Sequence, residues 1–213
     1  MQPVNPRNTA LLVVDMQNGY CDPKGNLSKV SGVDTTPLQE VVPKVQRLVE
    51  ACKRLELPVM WSVQQHLPQD KMRRERRVPS HIEKRTVEPA APRGTWHAEI
   101  VPSLQPLVEP DDFVIIKHRF SMFYSTTLDS ILQMLTISHL VVCGVSTNVC
   151  VESTVRDAYF RDYDVTIIED CVAATMPDLH EASLKNFRIF LGDVVTLSEF
   201  LDSHGGLVSA QAG

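Results

Sequence analysis

The 213-residue chain contains no apolar run long enough to cross a bilayer, and the first run, "ALLVV", stops at Asp15. Neither a signal peptide nor a membrane span is expected, so the chain is read as cytoplasmic, with no membrane partner. It also lacks an excess of positive charge, since 21 Lys and Arg stand against 26 Asp and Glu for a net charge of -5. That balance argues against a general affinity for nucleic acid and favours small-molecule chemistry. Nucleotide cradles of the GxGxxG or GxxxxGKS/T type are absent, and the seven histidines form no HxxxH or HExxH pattern, so no zinc site is indicated. A CxxC pair is missing too. The five cysteines (Cys21, Cys52, Cys143, Cys150 and Cys171) are odd in number and widely spread, which suggests reduced thiols rather than a disulfide frame. No Ser/Gly-rich or Pro-rich linker divides the chain, and 43% hydrophobic residues suffice for one sizeable core, so residues 1–213 are read as a single domain.

Short apolar runs alternate with longer amphipathic segments. "ALLVV", "PVMWSV", "DFVIIK", "SHLVVCGV", "DVTIIED" and "GDVVTL" read as strands, most of them buried on both faces. Between the first two, "LQEVVPKVQRLVEACKRL" (Leu38–Leu55) places Val41, Val45, Leu48, Val49 and Cys52 on one helical stripe. The rhythm predicts an α/β fold, a three-layer α-β-α doubly wound sandwich around a mainly parallel sheet of about six strands. The gap at about 64–111 is too long for an ordinary connection and is expected to form a lid or a subunit contact. Within it, Lys71–Arg85 holds seven basic and two acidic residues without an interleaved aromatic ring, as a solvated loop or an inter-subunit surface would.

In an open parallel sheet, ligands bind beyond the carboxyl ends of the strands, near the point where strand order reverses. Asp15, Lys117 and, through "GVSTNV", Cys150 stand just past three such ends. A carboxylate can accept a thiol proton, and an ammonium can stabilise both thiolate and carboxylate. A cysteine in the first turn of a helix also gains from the helix dipole, which favours the thiolate, and backbone N–H groups there can face an oxyanion. Singly, each residue has an ordinary structural explanation. Asp15 could cap a turn, Lys117 could lie at the surface, and Cys150 could pack as a small hydrophobe. Glu169 and Asp170 also follow a strand, with capping as their expected role.

"LLVVDMQNGY", "IIKHRFSMFYSTTLDSIL" and "LVVCGVSTNVCVESTVRDAYFRDYDVTIIEDCVAA" resemble the isochorismatase-like cysteine hydrolases, and within them the ureidoacrylate amidohydrolase and N-carbamoyl amide hydrolase branch. The resemblance implies a cysteine-dependent amidohydrolase that cleaves a C–N bond of a small amide, ureido or carbamoyl substrate through a thioester, without a cofactor. Alternatives are a hydrolase of another linear amide such as biuret, or a non-catalytic oligomeric member of the fold. It assigns Asp15 as base, Lys117 as electrostatic partner and Cys150 as nucleophile. It implies a cis bond at Val145–Ser146, with the backbone N–H groups of Ser146 and Cys150 as the oxyanion hole. Substrate contacts are expected at Gln64, Trp96, Arg119 and Phe120, and a homo-oligomer, dimer or tetramer, is expected. Gln64 stands where nicotinamidase-type members carry the acid of an Asp-x-His metal motif, which argues against that activity and for no metal here.

Overall fold

A computed structural model describes residues 3–67 and 87–210, without the side chains of 205–210. Six strands form one parallel sheet: β1 Thr9–Val14, β2 Val59–Gln64, β3 Phe113–Lys117, β4 His139–Val145, β5 Asp164–Ala173 and β6 Asp193–Val195. Among the helices, α1 Asn18–Cys21, α2 Asn26–Lys29 and α3 Thr36–Glu40 are single turns. The longer ones are α4 Val42–Arg54, α5 Leu128–Met134, α6 Glu152–Tyr159, α7 Pro177–Asn186 and α8 Leu197–Ala210. The expected fold class is therefore the observed one. The strand order is β3-β2-β1-β4-β5-β6, so the chain winds outward one way from β1 and the other way from β4. Order reverses between those two central strands, which makes their carboxyl ends the place to look for a site.

The predicted stripe on α4 buries Val41, Val45, Leu48, Val49 and Cys52 against Leu11, Val13, Val59 and Trp61 on one face of the sheet, joined there by Phe200 of α8. On the other face Leu12, Met60, Val142 and Ile167 pack against Leu128 and Leu132 of α5, Val155 of α6 and Leu184 of α7. β1 is inaccessible along its whole length, which accounts for its unbroken apolar sequence. Apolar burial at about 25 cal/mol per Å² is the dominant stabilising term on both faces.

β1 and β4 pair at Val14 and Gly144, and the φ of +112° at Gly144 turns its Cα face onto the Val14 backbone. A Cβ at this position would lie 2.1 Å from the Val14 carbonyl oxygen. The close approach sets Asp15, just after Val14, beside the turn that carries Cys150. Gly144→Ala is accordingly expected to cost about 1–3 kcal/mol in urea unfolding, with turnover falling alongside, whereas a native midpoint would mean that the strands separate freely.

Residues beyond Val87 pack over the carboxyl end of β2. The His66 N–H donates to Ala91 O at 2.9 Å and the Arg93 N–H donates back to His66 O at 3.0 Å. Further on, the Asn18 N–H donates to Glu99 O at 2.9 Å and the Val101 N–H to Met16 O at 3.0 Å. Lys71–Arg85, the basic stretch, lies outside the described residues.

Candidate active site

Asp15 leaves β1 with φ at +49°, a left-handed turn that directs the chain out of the sheet toward α1. Its carboxylate is buried and held at both oxygens. The Ser62 hydroxyl donates to Oδ1 at 2.6 Å, and Oδ2 lies 2.7 Å from Lys117 Nζ. This second contact is an ion pair without hydrogen-bond alignment, so a lone pair on Oδ2 is still open to a proton. Lys117, the last residue of β3, is fully buried. Its ammonium donates to Gln64 Oε1 at 2.9 Å and to Arg119 O at 3.2 Å, and it interacts electrostatically with the Cys150 side chain. Burial alone would push this ammonium down, but Asp15 and Cys150 outweigh it and hold the group above its ordinary value.

Cys150 arrives from β4 through the Val145–Ser146 peptide, which is cis. Thr147–Val151 then winds as a wide turn, with the Val151 N–H donating to Ser146 O at 3.2 Å, before α6 begins. Two hydroxyls pin this turn. Thr154 Oγ1 donates to the Cys150 carbonyl at 2.7 Å and accepts from the Met122 N–H at 3.1 Å, while Thr147 Oγ1 lies 2.9 Å from His180 Nδ1. Asp15 and Lys117 both act electrostatically on the Cys150 thiol, which places the acid, the amine and the thiol in one cluster.

Their electrostatics correct one expectation. Burial pushes the Cys150 thiol up to about 12, Lys117 pulls it down, and Asp15 pushes it up again. Burial and Asp15 thus favour the neutral thiol at rest, against the thiolate that the helix dipole and the nearby ammonium suggested. Burial wins because it removes the water that would solvate the anion, and because Asp15 already supplies the negative charge beside Lys117.

A cavity of about 600 Å³ opens over these groups, with Asp15, Gln64, Ser146 and Cys150 at its base and Leu27, Val87, Phe120, Val145 and Val149 among its apolar walls. Tyr20, His66, Asn148 and Ser153 add polar lining. Of the expected substrate contacts, Gln64 and Phe120 line the cavity. Arg119 is not part of the lining described. It lends its carbonyl to Lys117, and its guanidinium donates to His118 O. Trp96 is also outside that lining, 39% exposed, with its carbonyl accepting from Asn18 Nδ2 at 2.9 Å.

Three residues that sequence reasoning missed hold the site together. One is Ser62. Another is Gln17, whose side chain clamps the end of β2, donating to Gln64 O at 3.0 Å and Ala98 O at 2.7 Å and accepting from the Gln64 N–H at 2.8 Å. The third is Thr154, which fixes the Cys150 carbonyl. Ser62 and Gln17 share a signal, a polar residue inside or next to an otherwise apolar, fully buried segment, whereas Thr154 lies on the buried side of the amphipathic α6.

A second hollow of about 560 Å³ lies beyond β5, and four of its charged groups form pairs, Lys44 with Asp170 at 3.6 Å and Arg188 with Glu169. Asp170 also accepts from the Leu197 N–H at 2.7 Å, capping α8 as expected.

Comparison with known proteins places this geometry among relatives. The chain is 32% identical to a ureidoacrylate amidohydrolase RutB of Caulobacter segnis, in a match covering 96% of this chain and 89% of the relative. A crystal structure of a cysteine hydrolase from Pseudomonas syringae pv. phaseolicola superposes with a TM-score of 0.80 at 26% identity, covering 97% of each chain. The N-carbamoylsarcosine amidase of Thermoplasma acidophilum does so with a TM-score of 0.70 at 28% identity, over 89% of this chain and 96% of that one. The isochorismatase domain model matches residues 9–199, and the chain belongs to that family.

Proposed function

We propose that the protein is a cysteine-dependent amidohydrolase that cleaves the C–N bond of a small linear amide, ureido or carbamoyl compound. The observation that carries this reading is the convergence of Asp15 Oδ2, Lys117 Nζ and the Cys150 thiol at the base of the cavity. In the first half-reaction the thiol proton passes to Asp15 Oδ2 as sulfur attacks the substrate carbonyl carbon. The backbone N–H groups of Ser146 and Cys150 receive the tetrahedral oxyanion. Asp15 then returns the proton to the nitrogen as the C–N bond breaks, so ammonia or an amine leaves and a thioester remains. In the second half a water loses a proton to Asp15 and attacks the thioester, and the thiol is regenerated with release of the acid. Lys117 stays protonated throughout and offsets the charge on Asp15 and sulfur in turn.

The resting thiol fits this cycle, because a neutral nucleophile beside a carboxylate needs a base at the moment of attack and releases no anion beforehand. Gln64 narrows the substrate. Its Oε1 is occupied by Lys117, an ammonium that only donates, so the amide presents its NH₂ as donor toward the cavity. A carbonyl or carboxylate oxygen of the substrate satisfies it, and the names of the relatives, ureidoacrylate amidohydrolase and N-carbamoylsarcosine amidase, suggest compounds of that kind.

The test is an ammonia-release panel of 3-ureidopropionate, N-carbamoylglycine, biuret and propionamide, with intact-protein mass spectrometry on each hit after rapid acid quench. An acyl mass on Cys150 that Cys150→Ala does not acquire is the expected result. Ammonia release at equal rates from both proteins would remove the nucleophile assignment.

A further inference from the structure

Ser62 is the one hydroxyl of β2, 1% exposed in a strand packed on both faces. The register pairs Trp61 with Val13, which sets Ser62 beside the step from Val14 to Asp15. Two reciprocal bonds follow. The Asp15 backbone N–H donates to Ser62 Oγ at 3.0 Å, and the Ser62 hydroxyl donates to Asp15 Oδ1 at 2.6 Å. A hydroxyl has a single proton to give, and here it is committed to the carboxylate. Backbone and side chain of Asp15 are thus tied to one atom of the neighbouring strand, at the residue where the chain turns through φ +49°. Oδ1 faces β2, and Oδ2 is left toward Lys117.

We propose that Ser62 is a positioning residue for the reaction, which holds the Asp15 carboxylate so that Oδ2 is the oxygen that takes the thiol proton. The inference rests on the reading of Asp15 as base. Ser62 holds the carboxylate through one short hydrogen bond to Oδ1 and a second from the Asp15 backbone N–H. By fixing the rotation of the carboxylate it also prevents Oδ1 and Oδ2 from exchanging in front of sulfur. Nothing in this arrangement contacts substrate, so binding is not its target.

The experiment compares Ser62→Thr with Ser62→Val, two side chains of nearly the same shape that differ in the hydroxyl, using the panel compound that the native chain turns over fastest. Ser62→Val is expected to lose about 10- to 100-fold in kcat, the range found where a partner only orients a reacting group, with KM within about twofold. Ser62→Thr restores the rate. The proposal is overturned if Val and Thr behave alike, or if the loss in Ser62→Val appears in KM rather than in kcat. Asp15→Asn, run alongside, separates the two readings: if that variant retains turnover the base assignment itself has failed, whereas an inactive Asp15→Asn beside a native-like Ser62→Val defeats only the role given to Ser62.

Discussion

Asp15→Asn should end turnover while making Cys150 a better target for alkylation. In the native site burial and the Asp15 carboxylate both oppose ionisation of the thiol, and together they raise it to about 12. Asparagine removes the negative charge and leaves Lys117, which lowers the thiol pKa, unopposed by a neighbouring carboxylate. The thiol pKa therefore falls, and each unit of fall gives about ten times more thiolate at neutral pH. Labelling by iodoacetamide at pH 7, followed by peptide mass spectrometry, should be faster than native by about that factor. It should remain confined to Cys150, because Cys52 and Cys143 are fully buried in the core. Hydrolysis moves the opposite way. Without a base the attack of the neutral thiol and the activation of water both lose their proton acceptor, a loss on the order of 10³ in kcat. Slower labelling of Asp15→Asn would mean that the carboxylate draws the proton away in the resting enzyme, and the neutral-thiol ground state would be wrong.

This opposition between reactivity and turnover was not legible in the sequence, although much of the site was. Asp15, Lys117 and Cys150 stand at the ends of recognisable apolar runs, and a parallel sheet brings such ends to one edge, so their meeting follows from periodicity and topology. The stripe on α4 was legible for the same reason, because a repeat of 3.6 residues states which face is buried. Charge state depends instead on how much water each group keeps, and that is a property of packing across strands distant in sequence. Ser62 is likewise one letter in "PVMWSV", and its role appears only once the register sets it beside Asp15. Gln64 was expected to meet substrate alone, yet its carbonyl is committed to Lys117, since the parallel register pairs those two residues directly. Arg119 and Trp96 follow recognisable motifs, but motif spacing does not specify where a side chain goes once its loop turns, and both are absent from the described lining of the cavity.

Lys117→Met is expected to destabilise the fold as well as the chemistry. The ammonium is wholly buried and is the only cation paired with Asp15 among the described ion pairs, so a methionine of similar reach leaves a carboxylate inside the protein without compensation. Breaking a buried pair from one side costs about 3–5 kcal/mol, read as a lower urea midpoint at unchanged slope. The pH dependence has a definite sign. Because Lys117 is held above its ordinary value of 10.5, it is charged in both folded and unfolded chains below that pH. Its contribution is then fully present across the neutral range and is lost only as pH climbs through the raised folded value. Turnover falls too, since the ammonium is the group that pulls the Cys150 thiol down, and iodoacetamide labelling should slow where Asp15→Asn accelerates it. Combining the two substitutions separates packing from chemistry. Asp15→Asn/Lys117→Met replaces the ion pair by a neutral one and should recover most of the lost stability, because no uncompensated charge remains. It should recover none of the activity. A double variant no more stable than Lys117→Met would locate the cost in the packing of the lysine stem, and the buried charge pair would then not be what holds the ends of β1 and β3 in place.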